Sequence, residues 1–408
     1  MRILDFITIN KRWLFAGGLI SFSSAYGQTF FISIFAGEIM AEFHLTNGEW
    51  GGIYTLGTTA SALLMLYGGT LSDRFRARTL SAIVLGLLAL ACLFMAVNPV
   101  VWALPIAIFA LRFTGQGMLS HVAVVSIARW FSAARGKALA ISSLGFSVGE
   151  SALPILFVSL LAFGHWRSLW ALAALSSLVA IPVLMVMLKS ERTPQSLAES
   201  SESTGMDGRH WKRRHVLRHW LFWMILPTIT APAIFGTALF FQQVHLTESK
   251  GWDHVGFVAL FPFYSFTTIG MNFVYGLALD KFGTRRLLAV FQVPFALSYL
   301  AFSLGESLSA AAFAFVLMGM MQGGATLWGA FWAEFYGTRY LGSVKSLATA
   351  LMVFGSAIGP GMTGLLIDFG FPFKDQMVFF AIYILCACLL THFAMQRAAP
   401  ALCVNVDA

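Results

Sequence analysis

Two ionisable residues, Arg112 and Glu150, stand inside runs that are otherwise apolar. A charge placed mid-bilayer costs about 2.5–3.5 kcal/mol on insertion scales, so an intramembrane cation or acid is a candidate for handling substrate or ions. Counted from opposite ends of their runs, Arg112 lies about 11 residues in and Glu150 about 13. At about 1.5 Å per residue they reach similar depth. The proton affinity of a buried carboxyl depends on its solvation and on neighbouring cations, so a cavity that opens and closes could load and unload a proton at Glu150. Arg112 would then tune that acid or hold an anionic substrate. A fixed ion pair bracing two helices uses the same residues and stands beside this reading.

Neutral residues extend the set. Gln28, Gln116, Asn272 and Gln322 interrupt long apolar runs and could line a cavity or hydrogen-bond between helices. Phe30 and Phe240, each followed by a second phenylalanine, recur at a displacement of 210 and could wall a site for planar cargo or simply pack. On an α-helix Arg112, Gly115, Gln116 and Leu119 share a face. His121 is turned about half a circle away and reads as a packing histidine.

The scaffold these residues need is a membrane one. Of 408 residues 58% are hydrophobic and 11% charged, against about a quarter charged in soluble proteins. The apolar runs are about 20 residues or longer and do not alternate, which predicts helices rather than a barrel. The expectation is an all-α membrane protein with spans near 13–36, 49–71, 79–98, 101–127, 137–162, 167–188, 219–243, 255–278, 286–304, 308–333, 343–367 and 373–395. The first, beginning at Trp13, is too long for a signal h-region and reads as an uncleaved span. The four cysteines predict neither disulfide nor metal use, and no metal site or cofactor is expected.

Positive charge orients the chain. With the N-terminus inside, 22 of the 26 Lys and Arg fall on the cytoplasmic side, three (Arg167, Lys250, Lys374) fall outside, and Arg112 lies within a span. The bias places both termini in the cytoplasm. The net charge of +8 is thereby a topology signal, with no nucleic-acid partner required. The polar stretch 189–218, Ser/Glu-rich at first and basic at Arg209–Arg214, predicts a flexible cytoplasmic linker between an N-terminal six-helix bundle, 1–188, and a C-terminal one, 219–408. Its basic end suits lipid headgroups, with regulation as the alternative.

The halves repeat. Gly69-Thr-Leu-Ser-Asp73-Arg74 and Gly276-Leu-Ala-Leu-Asp280-Lys281 lie 207 positions apart, Gln116 and Gln322 are 206 apart, and Gly145/Gly149 and Gly355/Gly359 are 210 apart. Such displacements imply parallel repeats about an axis along the membrane normal, with a site between the halves near mid-bilayer.

The loop motif resembles that of the major facilitator superfamily, roughly Gly-x-Leu-x-Asp-Arg-x-Gly-Arg-Arg. The first copy supplies Gly69, Leu71, Asp73, Arg74 and Arg78 but has Arg76 where the family prefers glycine. The second supplies Gly276, Asp280, Lys281, Gly283, Arg285 and Arg286. The resemblance implies twelve helices in two bundles related by pseudo-two-fold symmetry, a cavity faced by spans one, four, seven and ten, and loops that latch the closed cytoplasmic side. Arg76 leaves the first turn without its flexible residue. The run Trp130-Phe131 to Arg135-Gly136-Lys137, with Gly145, Gly149 and Pro154, is loosely similar to the monocarboxylate and oxalate/formate carriers, although the eighth span lacks the charge those carriers would need. The paired glycines Gly145, Gly149, Gly355 and Gly359 are small-xxx-small patterns, expected to let spans five and eleven slide against the opposite half.

No phosphate-cradling loop, nucleophile elbow or other enzyme signature occurs in the sequence, so no ATPase subunit is implied. The expectation is a monomeric, multi-pass secondary transporter of a bacterial-type inner membrane, not an enzyme, working with a small-molecule substrate, the lipid bilayer and protons. An organic anion is favoured on account of Arg112. Efflux of amphipathic drugs, import of an aromatic or heterocyclic nutrient, and a non-transporting sensor are the alternatives.

Overall fold

The computed structural model describes residues 3–69, 71–131, 135–189, 204–337 and 339–405. Helices make up nearly all of them, and no strand occurs among the described residues. The first is bent by 50° at Gln28, between Asp5–Gly27 and Thr29–Phe43. The second is Asn47–Gly68. The third to sixth are Ala77–Val97, Val101–Trp130, Gly136–Leu161 and Trp166–Met187. The seventh to twelfth are Trp220–Phe241, His254–Leu279, Lys281–Leu304, Leu308–Tyr336, Leu347–Asp368 and Phe373–Leu402.

Among the described residues ten helices are long and apolar enough to cross a membrane, eleven with the bent pair counted as one span. The remaining helix, Asn47–Gly68, has 22 residues and so the length to cross, but Asn47, Glu49 and five glycines dilute its apolarity. Its start is fixed by a capping box. Glu49 N–H donates to Thr46 Oγ1 at 3.2 Å, and Thr46 N–H donates to the Glu49 carboxylate at 2.9 Å.

The first helix departs most from expectation. It begins well before residue 13, because the polar residues ahead of the apolar run continue the helix; Asn10 Nδ2 donates to Phe6 O at 2.9 Å. It then breaks at Gln28, whose φ of −86° and ψ of 155° are extended.

The chain forms two compact units, one of Met1–Glu199 with Pro360–Leu365, the other of Ser200–Gly359 with Leu366–Ala408. Each has an aromatic core. In the first, Phe31 meets Tyr26, Phe157 and Trp170 edge-on at 5.1, 4.8 and 5.4 Å between centroids. In the second, Phe315 gathers Phe257, Phe261 and Phe302 at 5.3, 5.3 and 5.1 Å. Such ring pairs add about 0.5–1.5 kcal/mol beyond the area they bury.

The polar stretch does not remain a linker as far as residue 218. Met206 is 1% exposed, Trp211 N–H donates to Tyr336 O at 3.1 Å, and the indole of Trp211 donates to Met206 O at 3.2 Å. The Trp211 ring stands at 90° to Tyr336, 5.6 Å away. This strap belongs to the second unit, held there by Met206 and Trp211, two apolar residues within a stretch that reads as polar overall. The expected linker's Ser/Glu-rich part, 190–203, lies outside the described residues.

Candidate functional site

The break in the first helix meets a second irregularity in the fourth. Arg112–Leu119 is π-helical, a form that appears in short pieces and often at functional positions. The two segments touch through glycines. A Cβ on Gly27 would fall 2.2 Å from Leu111 O and 2.7 Å from Gly115 Cα, and one on Gly115 would fall 2.6 Å from Gly27 Cα. Only hydrogen atoms fit between these backbones.

Arg112 projects into this junction and is 2% exposed. Its Nη1 donates to Thr29 Oγ1 at 3.1 Å and, at a long 3.4 Å, to Gly27 O. The guanidinium lies 5.3 Å from the centre of the Tyr54 ring, and the Tyr54 and Thr29 hydroxyls are 2.6 Å apart. Its partners among the described residues are therefore uncharged. Arg112 Nε and, one π turn on, Gln116 Oε1 are buried without a hydrogen-bond partner among the described residues. Gln28, at the break, reaches Ser120 Oγ at 3.5 Å.

Glu150 is buried in the fifth helix, 8% exposed. Its neighbour Gly149 faces the first helix just before the break, where an added Cβ would come within 2.9 Å of Ala25 Cβ. The π turn carries the guanidinium onto helices one and two, and Thr29 and Tyr54 receive it.

The other expected cavity residues are dispersed. Phe30 and Phe240, 4% and 9% exposed, pack within their own halves against Phe146 and against Phe261, Tyr264 and Phe315. Asn272 is half-buried and Gln322 exposed. Where the first half has Arg112 beside Gly27, the second has Met318, whose Cε would lie 3.6 Å from a Cβ on Gly236.

At the first loop, Gly69 O accepts from Ser72 Oγ at 2.7 Å, and His121 Nε2 lies 3.2 Å from the same carbonyl and 3.1 Å from Ser72 Oγ. Arg129 Nη1 donates to Ser72 O at 2.6 Å. The fourth helix thus clasps the backbone of this loop through His121 and Arg129. The side chains of Asp73, Arg74 and Asp280 lie outside the described residues. Arg78 is half-buried, with Nε lacking a partner among the described residues. Arg76 adopts φ −65° and ψ 141°, open to any residue, so the first turn needs no glycine there. Gly283 adopts φ 73°, where a side chain is strained. Gly276 has open space around it, Lys281 lies over the Phe282 ring at 5.4 Å, and Arg285 donates to the Gln396 side chain.

The paired glycines pack closely inside each half. A Cβ on Gly145 would fall 2.0 Å from Gly18 O. One on Gly359 would fall 2.2 Å from Ile234 O, and one on Gly355 3.0 Å from Ile234 Cγ1. Gly145 and Gly149 therefore seat helix five on helix one, and Gly355 and Gly359 seat helix eleven on helix seven.

Thr29, Tyr54, Ser72 and Arg129 are the site residues that sequence reasoning missed. Thr29 adjoins Gln28, and Tyr54 lies in the one span with low apolarity; those were the available signals.

No curated protein matches the chain. Solved structures share its fold. A bacterial homologue of the human lysosomal transporter Spinster, inward-facing and unoccupied, aligns at TM-score 0.72 and 14% identity, over 96% of this chain and 98% of that one. Its occupied form aligns at 0.69 and 14%, over 95% and 97%. A mutant of the nucleoside transporter NupG aligns at 0.72 and 12%, over 95% and 99%. The family model described as Major Facilitator Superfamily matches residues 17–271 and 259–401. Two helical halves, repeated loops at matching positions and a family match across almost the whole length lead to one conclusion: this integral, multi-pass membrane protein belongs to the major facilitator superfamily.

Proposed function

We propose that this chain is a proton-coupled secondary transporter of a small organic anion, working by alternating access between its two halves. The observation that carries the reading is Arg112, a buried guanidinium whose partners among the described residues are all neutral and whose Nε has none. An uncompensated cation at membrane depth is costly, and a carboxylate offers it both charge and a charge-assisted hydrogen bond. Thr29, Tyr54 and Gln116 supply polar groups to orient such a ligand. The break at Gln28 and the π turn opposite are the backbone elements that would yield as it enters.

Glu150 is the proton-coupling acid in this reading. A proton crossing 100 mV delivers about 2.3 kcal/mol, a useful drive for accumulation. The positive-inside bias supports cytoplasmic termini in a bacterial-type inner membrane. The chain works as a monomer, without an ATPase.

Purified protein in proteoliposomes tests this. Organic acids should raise the unfolding temperature of the wild-type protein, and Arg112→Gln should abolish that rise and cut uptake at least about tenfold, as loss of one charge-assisted bond implies. Glu150→Gln should keep counterflow exchange while losing its response to an imposed pH gradient; a normal response would remove Glu150 from the mechanism. Stabilisation by nucleosides or amphipathic drugs, with none by organic acids, would overturn the anion assignment.

A further inference from the structure

The ninth and twelfth helices enclose a cavity of about 290 Å³ lined by Arg285, Arg286, His392 and Gln396, with Met395 beside them. Among the described residues no carboxylate lines it. Arg285 is bonded to the Gln396 side chain, which holds one guanidinium across the gap between the helices. Arg286 and His392 are exposed. Along each helix the polar end gives way to apolar side chains on the same face. Val290, four residues beyond Arg286, is 55% exposed, and Leu389, three residues before His392, is 60% exposed. Phe393, next to His392, is 64% exposed. Cations thus stand at one end of the helix pair and uncovered apolar surface continues towards its middle.

We propose that this cavity binds the phosphate of an anionic phospholipid, with the acyl chains lying against Val290 and Leu389. Two guanidiniums and an imidazole, with no acid among the described lining residues, select net negative charge, and Arg matches phosphate oxygens bidentately. A free phosphate would satisfy the cations and leave the apolar stripe unused; a zwitterionic lipid would bring its own cation against them. Basic pockets between spans are a recurring headgroup site, each cation near the surface being worth about fivefold in affinity. This site is independent of Arg112.

The test uses full-length detergent-purified protein and native mass spectrometry, with phosphatidylglycerol, phosphatidylcholine of matched chains, or inorganic phosphate as the probe. Phosphatidylglycerol should be retained in preference to phosphatidylcholine, Arg286→Gln should lower its retention roughly fivefold, and Arg286→Gln with His392→Ala should lower it further. Arg286→Lys keeps the charge and should keep most of the binding, which guards against a variant that fails to fold. Arg397→Gln, outside the cavity, should change nothing. Equal retention of both lipids, displacement by millimolar phosphate, an unchanged preference in the double variant, or an equal loss in Arg397→Gln would each overturn the proposal.

Discussion

Gly283 and Arg76 occupy the same place in the two loop motifs, yet their backbones have opposite needs. Gly283 has φ 73° and Arg76 has φ −65°. Gly283→Ala should therefore destabilise the protein by about 1 kcal/mol or more, because a Cβ is strained there. Arg76→Gly should cost less than about 1 kcal/mol, mainly through the greater freedom of the unfolded chain. Thermal unfolding in detergent checks both, and a larger loss from Arg76→Gly would contradict the backbone assignment. The motif made the missing glycine legible but not its consequence, since a residue's type does not report its φ. Arg112 shows the same limit. Its position inside an apolar run marked it as a candidate, while Thr29 and Tyr54 are ordinary residues whose importance comes from what reaches them.

Among the elements, the first and fourth helices carry the most information. Gly27 and Gly115 lie so close that a methyl group on either would meet backbone at 2.2–2.6 Å. Gly115→Ala and Gly27→Ala should each destabilise by about 1–3 kcal/mol, the range for overpacking a tight contact. Gly86→Ala, in the third helix with nothing within 4 Å, should be neutral or slightly stabilising. Equal effects at all three positions would mean that the glycine contact is not tight. The spans themselves were legible because each apolar run must be long enough to cross the bilayer: 137–162 was expected and Gly136–Leu161 is found, 167–188 was expected and Trp166–Met187 is found. The π stretch was not legible, because eight residues are too few for their period to be told from that of an α-helix.

For the molecule as a whole, the repeats and the loop charges agree on two halves. Single cysteines introduced at Arg209 and Lys374 test the orientation. In cells, a membrane-impermeant thiol reagent should label Lys374→Cys from outside and reach Arg209→Cys only after permeabilisation; the reverse pattern would invert the topology. The halves were legible because a duplication leaves matched intervals in the sequence. The strap was not legible, since its composition is polar and its anchoring depends on Met206 and Trp211 finding Tyr336. That docking has a practical side for anyone attaching a reporter to the middle of this chain. A fluorescent domain inserted between Gly205 and Trp211 would have to part Met206 and Trp211 or peel them from the end of helix ten, so its signal would report a damaged second half. A join made before Gly205 leaves those bonds in place.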